Sequence, residues 1–94
     1  MVVTIVRATG DSGTIQVAAQ INDLVEDGGT CILTATSGDT RLTVSATAFA
    51  NPQSTVCDVL SLTSVRAGAW DVTVEYTSAK HYGVSDPIRI GVTQ

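Results

Sequence analysis

The sequence has 94 residues, which is enough for one domain over residues 1–94 and leaves no room for two. Hydrophobic residues make up 44% of the chain and charged residues 15%, which is the composition of a folded domain rather than of a disordered chain. The formal net charge is −4, the five basic residues are scattered, and no apolar run approaches the roughly 20 residues that span a bilayer, so we expect neither nucleic-acid binding nor membrane insertion.

Predicted β-strands occupy most of the chain. Apolar and polar residues alternate with period two in nearly every segment, which is typical of half-buried strands, and no segment has a helical repeat. Met1 is interpreted as an added start residue, and the domain as one unit of a longer multidomain protein. In chain order the predicted strands are 2–7, 14–21, 30–36, 41–49, 56–62 (irregular, with Cys57 and Val59 on one side), 69–77 and 88–93.

Turn-forming residues separate these seven strands. The predicted connections are 10–13, an acidic stretch 22–29, a tight hairpin turn 37–39, a break at Asn51-Pro52-Gln53, a turn at 67–68 and a polar loop 78–87. Because the connections are short, strands that are neighbours in the sequence should mostly pair antiparallel. Two sheets packed face to face would bury every inward residue, and a closed barrel is the competing architecture.

Cys31 and Cys57 are the two cysteines, and each lies in a predicted strand. Their spacing does not fit a zinc site, which needs close Cys or His pairs. They form either one disulfide that joins two strands or two buried free thiols, and we favour the disulfide. A disulfide would contribute about 3–4 kcal/mol to a domain of this size and would indicate an oxidising compartment.

Four stretches carry a family resemblance: Gly29-Thr30-Cys31, Cys57, the segment GAWDVTVEY at 68–76, and Gly83-Val84-Ser85. Over roughly 14–92 the chain resembles the immunoglobulin-like β-sandwich modules of bacterial secreted and cell-surface proteins. The resemblance implies about seven antiparallel strands in two sheets, a Cys31–Cys57 disulfide and a role as spacer, stalk or adhesive unit. Antibody-type domains have a tryptophan between their two cysteines, whereas Trp70 follows both, so the resemblance is to the wider immunoglobulin-like class.

One side of strand 69–77 supplies the predicted core residues Trp70, Val72, Val74 and Tyr76. Tyr76 could instead form a tyrosine corner, but core packing is the favoured role. The sequence has no G-x-S-x-G motif, no H-E-x-x-H motif and no phosphate-binding loop, so we expect no catalytic residue, no metal and no cofactor. His81 is the single histidine and is interpreted as a solvated loop residue.

Three further surfaces are candidates for binding. Asp23, Glu26 and Asp27 could offer oxygens to calcium, but their spacing favours a solvated acidic loop. The tip formed by Lys80, His81 and Tyr82 is the candidate binding loop, with an ordinary exposed turn as the alternative. A predicted outward face is polar and uncharged, and it could bind glycans or only keep the chain soluble: Gln16, Gln20, Thr34, Thr36, Thr43, Ser45 and Thr47.

These observations predict a non-catalytic extracellular or cell-surface module that acts as a structural spacer or display unit. Its expected partners are neighbouring domains of the same chain. The alternatives are a recognition module that binds carbohydrate or protein through its end loops, in the manner of an adhesin, and a decoration domain of a phage or virion.

Overall fold

β-Strands account for all the regular secondary structure in the described residues. The computed structural model describes residues 3–22, 24–50 and 52–93, so the predictions that concern Met1, Val2, Asp23 and Asn51 lie outside the described residues. The strands are β1 Val3–Asp11, β2 Thr14–Ile21, β3 Thr30–Ser37, β4 Thr40–Ala50, β5 Thr55–Cys57, β6 Leu60–Leu62, β7 Gly68–Thr77, β8 Tyr82–Val84 and β9 Ile88–Val92. The all-β prediction is confirmed.

All the strand pairs are antiparallel, within one continuous sheet, and most strands pair with a neighbour in the sequence, as predicted; β2 and β3 do not pair, nor do β6 and β7. The strand order is β1-β2-β5-β4-β3-β7-β8, with β6 paired to β2 and β9 paired to β7. β4 connects the first half-sheet (β1, β2, β5 and β6) to the second half-sheet (β3, β7, β8 and β9), because residues 40–47 pair with β3 and residues 48–50 pair with β5. The N–H of Gly13 donates to the carbonyl of Thr93 at 2.8 Å, which brings the two outer strands together and leaves the sheet nearly closed, like a barrel.

The core lies between the inner faces of the two half-sheets. Alternate residues of β2, β3 and β7 point inward and are almost completely removed from solvent, while the residues between them face outward. The central buried side chains are Ile15, Val17, Ala19, Ile21, Cys31, Leu33, Ala35, Trp70, Val72, Val74 and Tyr76. The four residues predicted for the core from strand 69–77 are all in this set.

A disulfide between Cys31 in β3 and Cys57 in β5 joins the two half-sheets across the core. Their Cα atoms are 5.9 Å apart and the two residues are separated by 26 positions in the sequence. Cys31 is 0% exposed and Cys57 is 4% exposed, so the bond lies among core side chains rather than at the surface.

The strand count is higher than the seven predicted, for two local reasons. The predicted strand 56–62 is divided into β5 and β6. Val59 between them is 59% exposed and Cys57 is 4% exposed, so the prediction that the two lie on one side was wrong. The predicted polar loop 78–87 contains β8, which pairs with residues 75–77 of β7. Each of these strands has three residues, which is too short for a period-two pattern to be recognised.

The first hairpin is also tighter than predicted. Its turn consists of Ser12 and Gly13, with φ of 52° and 72°, and β1 continues to Asp11 instead of ending at Arg7. Gly10 is a strand residue, and a Cβ there would lie 2.5 Å from the carbonyl oxygen of Gly91. The glycine is therefore needed for the close approach of β1 to β9 and not for a turn.

β1 begins and β9 ends at opposite ends of the molecule. β1 runs from Val3, opposite Ile21, to Asp11, opposite Thr14. The adjacent Gly13 is hydrogen-bonded to Thr93, so β9 ends where β1 ends and not where β1 begins. We call the end where β1 begins the first end and the opposite end the second end. The molecule measures 38 × 21 × 17 Å.

Candidate functional site

A group of polar side chains at the first end, the Glu26 cluster, consists of Glu26, Tyr76, Ser78 and His81. The hydroxyl of Tyr76 donates to Oε1 of Glu26 at 2.5 Å, and Nδ1 of His81 lies 3.1 Å from Oε2 of the same carboxylate. The Glu26 side chain is 17% exposed and that of His81 is 40% exposed. The cluster therefore joins the acidic connection, the core and the predicted binding tip, three parts of the chain that are far apart in the sequence.

Hydrogen bonds fix the acidic connection in place. The hydroxyl of Thr55, a fully buried residue, donates to the carbonyl of Leu24 at 2.7 Å and accepts from the N–H of Glu26 at 3.0 Å. The carboxylate of Asp27 accepts from the N–H of Ala50 at 2.8 Å. These bonds hold the connection to the strands beside it. The Glu26 side chain is 17% exposed, whereas Asp27 is exposed, as expected of a solvated acidic loop.

Gly29 is what allows Tyr76 to reach the cluster. Tyr76 is the last inward residue of β7 and is fully buried, so its ring must pass the backbone of the connection before its hydroxyl meets Glu26. A Cβ on Gly29 would collide with the ring and the hydroxyl of Tyr76. A glycine at this position therefore provides space for a neighbouring side chain.

These contacts shift two pKa values in opposite directions. Hydrogen bonding to Ser78, Tyr76 and His81 lowers the pKa of Glu26 from 4.5 to about 2, against the effect of desolvation. Burial, followed by the bond to Glu26, raises the pKa of Tyr76 from 10 to about 12. At neutral pH the carboxylate is therefore charged and the phenol is neutral, which is the combination that the hydrogen bond between them requires.

We expect Glu26→Gln to flatten the loss of stability in acid. Because the folded-state pKa of Glu26 lies below its ordinary value, the stabilisation is complete above pH 4.5 and is lost as the pH falls towards 2. Thermal unfolding followed from pH 7 to 2 should show a lower melting temperature for the variant at pH 7 and a shallower decline below pH 4.5.

Asp39→Asn provides the control for this measurement, since Asp39 is exposed in the hairpin turn between β3 and β4 at the other end of the molecule. Its profile should follow that of the unmodified chain. A Glu26→Gln profile parallel to the unmodified one would show that the carboxylate does not carry the acid dependence.

Both oxygens of Glu26 already have partners within the fold, and Tyr76 is not exposed to solvent. The geometry of the cluster is that of a structural contact, since the Glu26 carboxylate bonds to a buried phenol and to an imidazole at the surface.

Scans against protein-family models, curated proteins and solved structures found no match for this chain.

The predicted binding tip is divided by the structure. Lys80 is exposed in the turn before β8, and the partly exposed side chain of His81 contacts Glu26. Tyr82 lies on β8 with 64% of its surface exposed, and a hydrogen bond to Glu75 on β7 raises its pKa. Of the three residues, Tyr82 offers the largest apolar contact surface.

The predicted polar face belongs to two different surfaces. Gln16 and Gln20 lie on β2 in the first half-sheet, so their grouping with the threonines of β3 and β4 was wrong. On the outer face of β4, β3 and β7, the threonines stand in register, as in the cross-strand row Thr43, Thr34 and Thr73. A parallel row contains Thr47, Thr30, Thr77 and Tyr82, so the aromatic ring ends a line of hydroxyl groups.

Among residues 3–22, 24–50 and 52–93, no three His, Cys, Asp or Glu side chains are grouped closely enough to hold a metal ion. Over the same residues there is no helix with the length and apolar character needed to cross a membrane.

Proposed function

We propose that this chain is an immunoglobulin-like β-sandwich module that serves as a structural spacer or display unit of a secreted or cell-surface protein and has no catalytic activity. The facing inner surfaces of the two half-sheets support the sandwich, since their alternating residues form one shared core. The Cys31–Cys57 disulfide supports the compartment, because such bonds persist outside the reducing cytosol.

The observation that carries the proposal is the course of the two outer strands. β1 enters at the first end and β9 leaves at the second end, so domains attached on either side would lie in line along the 38 Å axis. β1 and β9 also lie against each other at Gly10 and Gly91. A pull on the two ends therefore shears packed strands past one another instead of peeling one strand away.

Single-molecule pulling tests this role directly. Held by its two ends, the oxidised chain should unfold in one force-resistant step, because the shear geometry loads many contacts at once. While the disulfide is intact, the force cannot extend the segment between Cys31 and Cys57, which has a sequence separation of 26. The gain in length should therefore be about 9 nm smaller than for the reduced chain, at about 3.6 Å per residue.

The matched control is a Cys31→Ser, Cys57→Ser chain pulled in the same way. It should show the longer gain in length whether or not reductant is present. A chain that extends without a measurable force step in either redox state would contradict a mechanical role.

A second candidate function is recognition of a hydroxyl-rich chain such as a glycan. The observation that favours it is the exposed ring of Tyr82 at the end of the row of Thr47, Thr30 and Thr77, because an aromatic ring beside hydroxyl groups gives both apolar and polar contact. A glycan-binding assay separates the two functions, since a spacer binds none.

A further inference from the structure

The sheet has one long free edge, along the first part of β4. Residues 40–47 of β4 pair with β3 on one side. On the other side hydrogen bonding begins at Thr47, whose carbonyl accepts from the N–H of Asp58 at 3.0 Å, and it continues where residues 48–50 pair with β5. No pairing between residues 40–46 and another described strand occurs on that side.

The direction of the Thr47 carbonyl fixes the direction of the backbone groups before it. In an antiparallel pair, residues alternate between those that bond to the partner strand and those whose N–H and C=O point away from it. Because the Thr47 carbonyl points away from β3, the backbone groups of Arg41, Thr43 and Ser45 point away from β3 as well. The free edge therefore presents three pairs of donors and acceptors in a line.

The other edges carry features that hinder strand addition, whereas the edge of β4 has only the charge of Arg41. β1 contains a register shift between Ile5 and Arg7 and lies against β9. β6 and β8 have three residues each, and Pro87 stands between β8 and β9. Residues 40–46 contain no proline and no lysine, and their register with β3 is unbroken. Bulges, proline, lysine and short length are the usual protections of an edge strand.

The inward side chains of this edge are also incompletely covered. Leu42, Val44 and Ala46 have the parity of core residues, but each is only partly buried against the core. An additional strand beside β4 would cover them and would at the same time satisfy the free backbone groups.

We propose that this edge pairs with the same edge of a second copy of the chain, antiparallel and with a twofold axis at Thr43. This register places Thr43 opposite Thr43 of the second copy and Arg41 opposite Ser45, so all three pairs of outward backbone groups meet their counterparts. Leu42 lies opposite Val44 on the inner face. Arg41 is the one charged residue in 40–46, and the register keeps its two copies apart.

The pairing joins the second half-sheets of two molecules into one sheet. Since an edge-to-edge contact buries little surface, the dimer should be weak, with a dissociation constant on the order of 10 μM to 1 mM. The spacer role does not depend on it, because the free edge runs along the side of the molecule and the flanking domains attach at its ends.

Sedimentation equilibrium over that concentration range tests the proposal, with Thr43→Pro and Thr43→Val compared with the unmodified chain. The average mass of the unmodified chain should rise from 9.7 kDa towards twice that value. Proline removes the outward N–H and leaves the bonds to β3 intact, so Thr43→Pro should stay monomeric with an unchanged circular dichroism spectrum. Thr43→Val keeps the N–H and should dimerise like the unmodified chain.

Ser45→Lys provides a second test in case the proline variant does not fold. In the proposed register, position 45 of each copy lies opposite Arg41 of the other, so a lysine there places two positive charges together and should prevent pairing. Thr63→Lys, in an exposed segment after β6, should not prevent it. In the dimer, amide exchange at Arg41, Thr43 and Ser45 should slow as the concentration rises. A chain that stays monomeric throughout, or a dimer that persists in both Thr43→Pro and Ser45→Lys, would overturn the proposal.

Discussion

Removal of the disulfide by the double substitution Cys31→Ala, Cys57→Ala should lower the free energy of unfolding by about 3–4 kcal/mol. The bond closes a loop across a sequence separation of 26 and so restricts the unfolded chain far more than the folded one. For a domain of this length the loss is a large share of the total, since stabilities of about 5–15 kcal/mol are usual. Urea unfolding of the double variant and of the oxidised chain measures the difference.

The reduced, unmodified chain is the control that isolates the cross-link. It keeps both sulfur atoms in the core, so it should lose nearly as much stability as the double variant if loop closure is responsible. Alkylation of the native chain followed by intact mass measurement should add nothing before reduction and two groups after it. Two thiols that react in the native chain would contradict the disulfide itself.

The strands with strict alternation could be predicted from the sequence almost to the residue. β2 was predicted at its observed bounds, and the predictions for β3 and β7 differ from the structure by one residue at one end. Each of these strands pairs on both sides, so one face is fully buried and the sequence must alternate along its whole length. β4 alternates too, but Leu42 and Val44 are only half-buried because the strand is an edge there.

The Glu26 cluster could not be predicted from the sequence. Glu26 is 50 positions from Tyr76 and 55 from His81, and no local pattern brings a connection, a strand end and a turn together. Gly29 is the one residue that could have indicated the contact, but a glycine before a strand is far more often a turn signal. The position of Tyr82 was missed for a related reason, since pairing across to β7 makes β8 a strand and its own three residues do not.

Trp70→Ala should lower the free energy of unfolding by about 3–5 kcal/mol, the range for deleting a large aromatic side chain from a core. Trp70 is 1% exposed and pairs across to Ile90, so its removal leaves a cavity that rigid strands cannot close. Its ring N–H also donates to the carbonyl of Arg66 at 2.8 Å, and the Arg66 guanidinium lies 5.9 Å from the ring centre. The tryptophan therefore fills the core and holds the segment before β7.

Two comparison variants separate these contributions in urea unfolding. Trp70→Phe keeps most of the apolar contact but removes the hydrogen bond to Arg66, so it should cost less, on the order of 1–2 kcal/mol. Phe49→Ala deletes an aromatic ring that is 48% exposed on the outer face of β4 and should cost well below half of the Trp70→Ala loss. Equal losses of unfolding free energy in Trp70→Ala and Phe49→Ala would mean that the stability of the core does not depend on Trp70. The packing of β7 against the first half-sheet described above would then be wrong.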